Sequence, residues 1–571
     1  MSARMSARRF LVPLALPLTG LMVVGGCSEG TQTADPPTTR TGGSSGPPQA
    51  TATMAKEGWF GSADGLHARV AIRGVERQGA KSVLRYSVTS MDTAAKSVPL
   101  GVSLLDPVGR RLYRPTTAAG AGTGVPPTPA PEQFAPGATR ELTADFPPIP
   151  ANVQKLTVLT TGTAGEFTGV PVTDPAPGQP TPGTQPTPGG QTTPGGQSTT
   201  PGVQSTPSGQ STPSGQLTSG GQLALGGQGT PQGQSAPSGQ TTPSGLPTLG
   251  GQGTPGGQGT GANPADLYDI TEGEIKDVTS GASDVKMNLR TDVLFAVDSA
   301  KPSARAKQVL DQAAQEIREK ADPGGQPLAV NGHTDSKGAD DHNLKLSRER
   351  AEAVQKELQS RLGNTFKYST QGKGEAELIA KEGGADDAKA RSRNRRVEIS
   401  YVVRQQTQGT TAASTAPAGG RGGTVQPAAF RAQDGKTVAS RFGRFAGAKR
   451  RLDVKPFYRD GAYLVAVFEL VNEGPGTTPP DAAYPHKDYL GGAFTSFSVL
   501  LPGGTDVYRA VRIGPPAANS ATYVDPGRAT FRTALNQPVR GFAYIPAPPG
   551  NPATVVFDGG PFGKVNNVPI S

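Results

Sequence analysis

The feature that most constrains this chain is a long tract that cannot build a hydrophobic core, residues 175–262 of 571. Its units GGQTTP, SGQSTP, SGQLTS, GGQLAL and GGQGTP recur at a period near six. A six-residue period is typical of β-helices, but each coil of a β-helix needs a branched aliphatic side chain inside. These positions hold Gly, Gln, Thr and Pro, so we predict a disordered linker. As a Gly-rich coil it would span about 50 Å on average and let the domains on either side separate.

Two shorter segments, 27–56 and 405–424, also lack apolar periodicity, and we interpret them as a flexible tether and a linker. With 78 Gly and 55 Pro, the chain is expected to form several small domains rather than one large core. The net charge is +10; the first 26 residues hold three arginines and no acidic residue, so without them 53 basic and 46 acidic residues leave +7. The two signs are interspersed, so nucleic-acid binding is not expected.

The first 26 residues have the pattern of an export signal. A basic start precedes an apolar run, 10–24, that is broken by Pro13 and Pro17 and is too short for a transmembrane helix. The sequence VGGC that ends at Cys27 resembles the lipobox of bacterial lipoproteins, which implies that Cys27 is lipidated and becomes the mature N-terminus. We expect its acyl chains, palmitate among them, to hold the protein at a membrane surface. The alternative is an ordinary signal peptide with an incidental cysteine, and both the Sec and the twin-arginine export routes stay open.

Residues 57–174 and 425–571 both show period-two strand patterns between Gly/Pro turns, such as VLRYSVTS in the first and YLVAVFELVN in the second. This pattern is typical of all-β sandwich domains. Corresponding motifs follow in the same order, so we predict an internal duplication of one immunoglobulin-like module. The two modules resemble sandwich domains of unknown function in actinobacterial lipoproteins. Trp59, the only tryptophan, is expected to be a core or edge anchor of the first module.

Residues 264–404 instead predict an α/β domain. NLRTDVLFAVDSA is interpreted as a strand, PSARAKQVLDQAAQEIREKA as an amphipathic helix and PLAVNGHTD as a second strand. A second helix follows Asn343, and FKYSTQGKG and RRVEISYVV complete the set as strands. The predicted order is β-α-β-α-β-β, with two helices on one face of a mixed sheet.

Four motifs in this region carry a family resemblance: DVLFAVDSA, GHTD, N-x-x-L-S-x-x-R-A and SRNRRVEI. In this order and spacing they resemble the OmpA-like peptidoglycan-binding domain. The resemblance implies that Asp335 holds the ammonium group of diaminopimelate in the peptidoglycan stem peptide, and that Arg350 holds its carboxylate. It also implies supporting contacts from Asp298, Asn343 and Arg395, and binding without cleavage.

The residue chemistry is compatible with this role. A zwitterionic ligand needs a fixed acceptor and a fixed cationic donor, and the planar fork of arginine suits a carboxylate. Asn343 could cap the second helix. Taken singly, Asp335 could be a turn residue and Arg350 a solvated charge. We expect His333 to be packed or hydrogen-bonded in its strand, and no convergent metal, cofactor or catalytic set is apparent. The remaining cations of the last motif are expected at the surface: Arg391, Arg393 and Arg396.

We therefore predict a non-enzymatic, lipid-anchored protein outside the cytoplasm that tethers a membrane to peptidoglycan. One alternative is an adhesin, sensor or secretion-machine component that uses the central domain only as a wall anchor and binds a protein partner through its sandwich modules. A cell-wall hydrolase is disfavoured because no paired carboxylates, zinc ligands or activated nucleophile are found. The diaminopimelate stereoisomer, the oligomeric state and the membrane stay open: the cytoplasmic membrane's outer face in a Gram-positive envelope, the outer membrane in a Gram-negative one.

Overall fold

The computed structural model describes residues 54–61, 65–116, 131–175, 263–404, 426–445, 447–476, 483–514, 521–526 and 535–571. The predicted signal peptide, Cys27, the tether up to residue 53, the repeat tract from 176 to 262 and the 405–424 linker lie outside these residues. Among the helices of the described ranges, none is long and apolar enough to cross a membrane.

The N-terminal module comprises the following strands: β1 (Met54–Phe60), β2 (Leu66–Gln78), β3 (Lys81–Ser90), β4 (Lys96–Pro99), β5 (Val102–Asp106), β6 (Arg111–Tyr113), β7 (Pro131–Phe134), β8 (Thr139–Phe146), β9 (Lys155–Thr160) and β10 (Glu166–Thr173). They form two ladders, β1-β2-β3-β8 and β6-β5-β9-β10, while β4 pairs with β7. Side chains from both ladders, such as Ile72 and Val158, meet in one hydrophobic core, as in a sandwich. Strand β1 begins inside the segment predicted as tether, and its Trp59 is about half exposed and stacks on His67.

The middle region comprises β11 (Ala265–Glu272), β12 (Lys276–Ser280), β13 (Asp284–Arg290), α1 (Thr291–Leu294), α2 (Ala304–Lys320), β14 (Leu328–His333), α3 (Asp340–Leu362), β15 (Tyr368–Gly372), α4 (Asp387–Asn394) and β16 (Arg396–Val402). The strand order is β11-β12-β13-β16-β14-β15, and only β14 and β15 are parallel within this order. Helices α2 and α3 bury their apolar faces against this mixed sheet. The predicted α/β arrangement with two long helices is thus present. The predicted order β-α-β-α-β-β is incomplete, because β11 and β12 precede β13 and α4 lies between β15 and β16.

The strand predicted over NLRTDVLFAVDSA is wrong beyond its first three residues. The strand ends at Arg290, and α1 follows directly. Leu294 and Phe295 are both buried in the core that α2 and α3 cover, and consecutive buried side chains do not fit the period of a strand. Asp298 then has a φ of 52°, which is outside the strand region of backbone space.

The C-terminal module comprises β17 (Ala439–Phe445), β18 (Ala448–Val454), β19 (Tyr458–Asp460), β20 (Tyr463–Asn472), β21 (Ser498–Leu500), β22 (Val507–Arg509), β23 (Arg512–Ile513), β24 (Thr522–Tyr523), β25 (Pro538–Pro546), β26 (Thr554–Asp558), a 3₁₀ helix (Gly560–Phe562) and β27 (Lys564–Pro569). Its main ladders are β17-β18-β20-β25 and β22-β21-β26-β27. This order repeats, strand for strand, the two main ladders of the N-terminal module. An internal duplication predicts this repetition.

The two modules pack against each other through a further hydrophobic core. Leu105 and Leu112 of the N-terminal module lie there with Val465, Val467 and Tyr544 of the C-terminal module. The sequence of β20 explains this packing, because nine of its ten residues are buried and both of its faces are apolar. The second ladder of one copy thus covers the first ladder of the other.

Strand β11 joins all three parts. Its first residues pair with β6 of the N-terminal module, with Ala265 opposite Leu112. Its last residues pair with β22 of the C-terminal module, with Thr271 opposite Tyr508. One strand of the middle region therefore bridges two strands that occupy equivalent places in the two copies.

This arrangement contradicts the expectation that the repeat tract lets its neighbouring domains move apart. The strand before the tract ends at Thr173, and the strand after it begins at Ala265 and pairs with the N-terminal module. Both ends of the tract therefore belong to one packed body.

Candidate functional site

The predicted pocket is built where β14 meets α3. A methyl group on Gly332 would overlap the backbone carbonyl of Ser347, so only glycine allows the strand and the helix to approach this closely. The Ser347 hydroxyl also accepts a hydrogen bond from Gly374 N at 3.0 Å, which fixes the segment after β15. This close packing brings Asp335, two residues after β14, to the side of α3 that carries Arg350.

Asp335 is held by an arginine within the site. Its Oδ2 accepts a hydrogen bond from Arg395 Nη1 at 2.5 Å, and its Oδ1 accepts one from Lys337 N at 3.2 Å. Arg395 also donates to both carboxylate oxygens of Asp292, through Nε at 2.8 Å and Nη2 at 2.6 Å. The predicted site residue Arg395 therefore orients Asp335 rather than standing free.

Asp292 is a site residue that the sequence analysis missed. Burial raises its pKa, but the hydrogen bonds from Arg395 and Ser392 outweigh burial, so its pKa is lowered overall. The hydrogen bond to Asp292 is in turn the largest cause of the raised pKa of Arg395. The pair stays charged over the physiological pH range. An acidic residue in the first turn of a helix that directly follows a strand was the available signal.

Arg350 is buried, with 5% of its surface exposed, on the inner face of α3. Its Nε donates to the carbonyl of Ser299 at 3.0 Å, and its guanidinium lies 5.6 Å from the centre of the Phe295 ring. Within the described part of the chain, no carboxylate lies within the 4.0 Å of a salt bridge. The Arg350 guanidinium is thus a buried cation without a direct counterion.

Electrostatics show that the predicted residues share one site. Burial lowers the pKa of Arg350, while the charges of Asp292, Asp298 and Asp335 raise it and that of Arg395 lowers it. These groups therefore act on the same guanidinium. The structure brings together the acceptor and the donor that the sequence predicted.

Asp298 lies at the exposed edge of this group. Its Oδ1 is 2.8 Å from Nε2 of His342, and both side chains are more than half exposed. Its left-handed backbone is uncommon for a residue other than glycine and often marks a functional position.

Asn343 does not cap the helix, so that part of the prediction is wrong. Helix α3 begins at Asp340, and the amide of Asn343 already donates to Ala339 O within the first turn. Its side-chain Nδ2 donates to Lys337 O and to Glu375 Oε2, both at 3.1 Å. Asn343 thus anchors the loop that follows Asp335.

A second support of the pocket runs through Asn394 at the end of α4. Its Oδ1 accepts hydrogen bonds from Ile379 N and Ala380 N, both at 2.9 Å, and its Nδ2 donates to Glu382 Oε1 at 2.6 Å. The other carboxylate oxygen of Glu382 accepts from the Ser336 hydroxyl at 2.6 Å. Ser336 follows Asp335, the proposed ammonium acceptor. Helix α4 therefore supports the pocket through Glu382 and Ser336. No sequence motif pointed to Glu382.

Three further side chains are buried around the pocket. His333 forms no hydrogen bond within the described residues, and burial, helped by the charge of Arg396, lowers its pKa to about 2. It is a packed neutral residue. Arg393 and Arg396 were expected at the surface, but they are 6% and 1% exposed. That expectation is wrong because Arg396 begins β16, which is paired on both sides, and Arg393 contacts Glu272 and Asp488.

No group of three or more His, Cys, Asp or Glu side chains in the described ranges is placed to hold a metal ion.

Comparisons with known proteins identify the middle region. Residues 294–395 match the OmpA family. Outer membrane protein A of Bordetella avium is 38% identical over 117 residues, which cover 20% of this chain and 57% of that protein. The probable lipoprotein YiaD of Escherichia coli is 32% identical over 137 residues, 24% of this chain and 59% of that protein. The chain thus spans less than two thirds of each of these relatives.

Among solved structures, the peptidoglycan-associated lipoprotein of Burkholderia pseudomallei is 27% identical, with a TM-score of 0.15, over 20% of this chain and 88% of that one. The sequence matches confirm an OmpA-like domain over residues 294–395. The flanking modules lie outside the family match.

Proposed function

We propose that this chain binds peptidoglycan non-covalently through the pocket of Asp335 and Arg350. The observation that carries the proposal is the buried guanidinium of Arg350, which has no carboxylate within 4.0 Å in the described ranges. A buried cation without a counterion is unfavourable, and a ligand carboxylate would compensate it with charge-assisted hydrogen bonds. The membership of residues 294–395 in the OmpA family supports the same function.

Diaminopimelate of the stem peptide is the ligand that we propose. An ionised carboxylate offers about four acceptor sites, and each oxygen of Asp335 accepts one hydrogen bond. The free sites are available to an ammonium group, while Arg350 takes the carboxylate on the same carbon. Arg395 and Asn343 hold the acceptor and its loop in place, and Asp298 lines the exposed edge. No bond is broken, so the proposed activity is binding alone.

The place of the protein in the envelope follows from the same reasoning. Its relatives include an outer membrane protein and a probable lipoprotein. The lipobox-like sequence before Cys27 supports lipidation of that residue and a position outside the cytoplasm. In this proposal the segment between Cys27 and Met54 supplies the reach between membrane and wall. The sandwich modules were also predicted to bind a protein partner. Part of their surface is used for packing against each other.

Co-sedimentation of the full chain with purified peptidoglycan tests the proposal. Arg350→Met and Asp335→Asn should each weaken binding roughly 10- to 150-fold, since a hydrogen bond to a charged group contributes about 1.5–3 kcal/mol. Arg361→Met is the matched control, because Arg361 is also in α3 but pairs with Asp311 and Glu357 outside the pocket. Binding by Arg350→Met at the wild-type level would exclude this pocket.

A further inference from the structure

Helix α4 leads directly into the pocket, and a loop of the C-terminal module contacts it at both ends. We propose that this loop, residues 487–489, is a positioning element for the ligand pocket. The inference rests on the proposed function and extends it, because it makes ligand affinity depend on a module outside the OmpA-like domain. The loop touches neither Asp335 nor Arg350, so it would act through α4.

At the end of α4 the loop binds Arg393. Arg393 Nη1 donates to Asp488 Oδ2 at 2.7 Å, and Nη2 donates to the Tyr489 hydroxyl at 2.9 Å. The guanidinium also lies 5.8 Å from the centre of the Tyr489 ring. The side chains of Arg393 and Asp488 are 7% and 3% exposed, so this contact is shielded from water and from salt.

The same arginine also contacts the first two strands of the middle region, β11 and β12. Arg393 lies 2.9 Å from Glu272 and 3.4 Å from Asp277. Glu272 in turn accepts hydrogen bonds from Arg509 and from the Tyr489 hydroxyl, both in the C-terminal module. Arg393 and Glu272, both of the middle region, therefore each have a charged partner in the C-terminal module. Such networks are coupled, and removing one member leaves the others uncompensated.

At the start of α4 the loop makes a second, weaker contact. Lys487 Nζ lies 3.3 Å from Asp386, which occupies the N-cap position of α4. Both side chains are about half exposed or more, so this pair adds little stability by itself. Together with the Arg393 contact, it means that three consecutive loop residues, 487–489, contact both ends of α4.

The consequence for the pocket follows from the chain order. Arg393 is followed by Asn394, which supports Glu382 and through it Ser336, and then by Arg395, which holds Asp335. The last turn of α4 cannot rotate without moving both supports. A loop that fixes Arg393 therefore fixes the acceptor for the ligand's ammonium group.

The test compares two variants of the full chain. Asp488→Asn combined with Tyr489→Phe removes the charge pair between the loop and Arg393 and the hydroxyl that links Arg393 to Glu272, with little change of shape. Asp434→Asn is the matched control, because Asp434 also pairs with an arginine of the C-terminal module, Arg540, but at its junction with the N-terminal module. Affinity is measured with a soluble muropeptide that carries diaminopimelate. Hydrogen–deuterium exchange of residues 379–396 is measured without ligand.

We expect the double variant to bind at least about fivefold more weakly and its 379–396 amides to exchange faster, with neither change in the control. Unchanged affinity would overturn the proposal, and so would weaker binding without faster exchange, because the effect would not pass through α4. Failure of the wild-type chain to bind would refute the proposed function. In that case, hydrogen–deuterium exchange of the ligand-free double variant would still test whether the loop positions α4. Unchanged exchange rates of residues 379–396 would refute that role.

Discussion

Glu272 is the residue whose charge matters most at the junction of the middle region and the C-terminal module. It is 7% exposed and accepts two hydrogen bonds from Arg509, at 3.0 and 2.7 Å. Arg393 lies 2.9 Å away on its other side. Replacing Glu272 by glutamine keeps the shape and removes the charge, so two buried arginines lose their shared counterion.

The magnitude follows from the pKa of Glu272. Burial alone would raise it, but Arg509 and then Arg393 lower it from the ordinary 4.5 to about 2. A difference of this size corresponds to roughly 3 kcal/mol of folding free energy. Because the pKa is lower in the folded state, the stabilisation is present above pH 4.5. It is lost as the pH falls from 4.5 to 2.

Urea unfolding at a series of pH values measures this contribution. At pH 7 we expect Glu272→Gln to lower the free energy of unfolding by about 3 kcal/mol, and the gap to the wild type should narrow as the pH falls below 4.5. Glu141→Gln is the control, because Glu141 forms an exposed pair with Arg73. If Glu272→Gln and the wild type have the same free energy of unfolding at pH 7, or if their difference does not change with pH, Glu272 is not the charged counterion of this junction.

Two further predictions concern the pocket scaffold. In urea unfolding, Gly332→Ala should lower the free energy of unfolding by about 1–3 kcal/mol, because the added methyl group overlaps the Ser347 carbonyl. Gly384→Ala is the control and should leave the free energy of unfolding unchanged, because nothing lies within 4 Å of the added methyl group. Equal effects of the two substitutions would contradict the close packing at Gly332. The imidazole resonances of His333 should not titrate between pH 8 and pH 4 in an NMR experiment, because its pKa is lowered to about 2; a midpoint near 6.5 would show that the ring is solvated.

The central part of the site was predictable because its residues lie within short motifs. Asp335 follows a strand and Arg350 lies in the next helix, so strand, turn and helix periods bring them together. The repeated strand order of the two modules was also predictable, since turns and period-two patterns recur in the same sequence. The sequence of β20 was interpreted as a period-two strand, whereas nine of its ten residues are buried because both of its faces are covered.

The site residues that were not predicted take part through contacts between distant parts of the chain. Asp292 and Glu382 join the site only after folding brings them to Arg395 and Ser336, and no local period reports such pairs. Arg393 stands in a run of charged residues that is typical of a solvated surface. Its partner Asp488 lies 95 residues further along the chain, so its burial could not be read from its neighbours.

The junction itself was hidden for a similar reason. Strand β11 pairs with β6 across the repeat tract and with β22 across the whole middle region. Composition predicts where one segment ends and the next begins, but it says nothing about which segments pack together. The two ends of the predicted linker therefore lie in one packed body.

The most direct test of the central claim is the affinity of the full chain for two muropeptides that differ only in the third residue of the stem peptide. Diaminopimelate offers both an ammonium and a carboxylate group at its free end, whereas lysine offers the ammonium alone. Because Arg350 is proposed to bind that carboxylate, we expect binding of the lysine form to be at least about tenfold weaker, the effect of one lost charge-assisted hydrogen bond. Equal affinity for the two muropeptides would contradict the account.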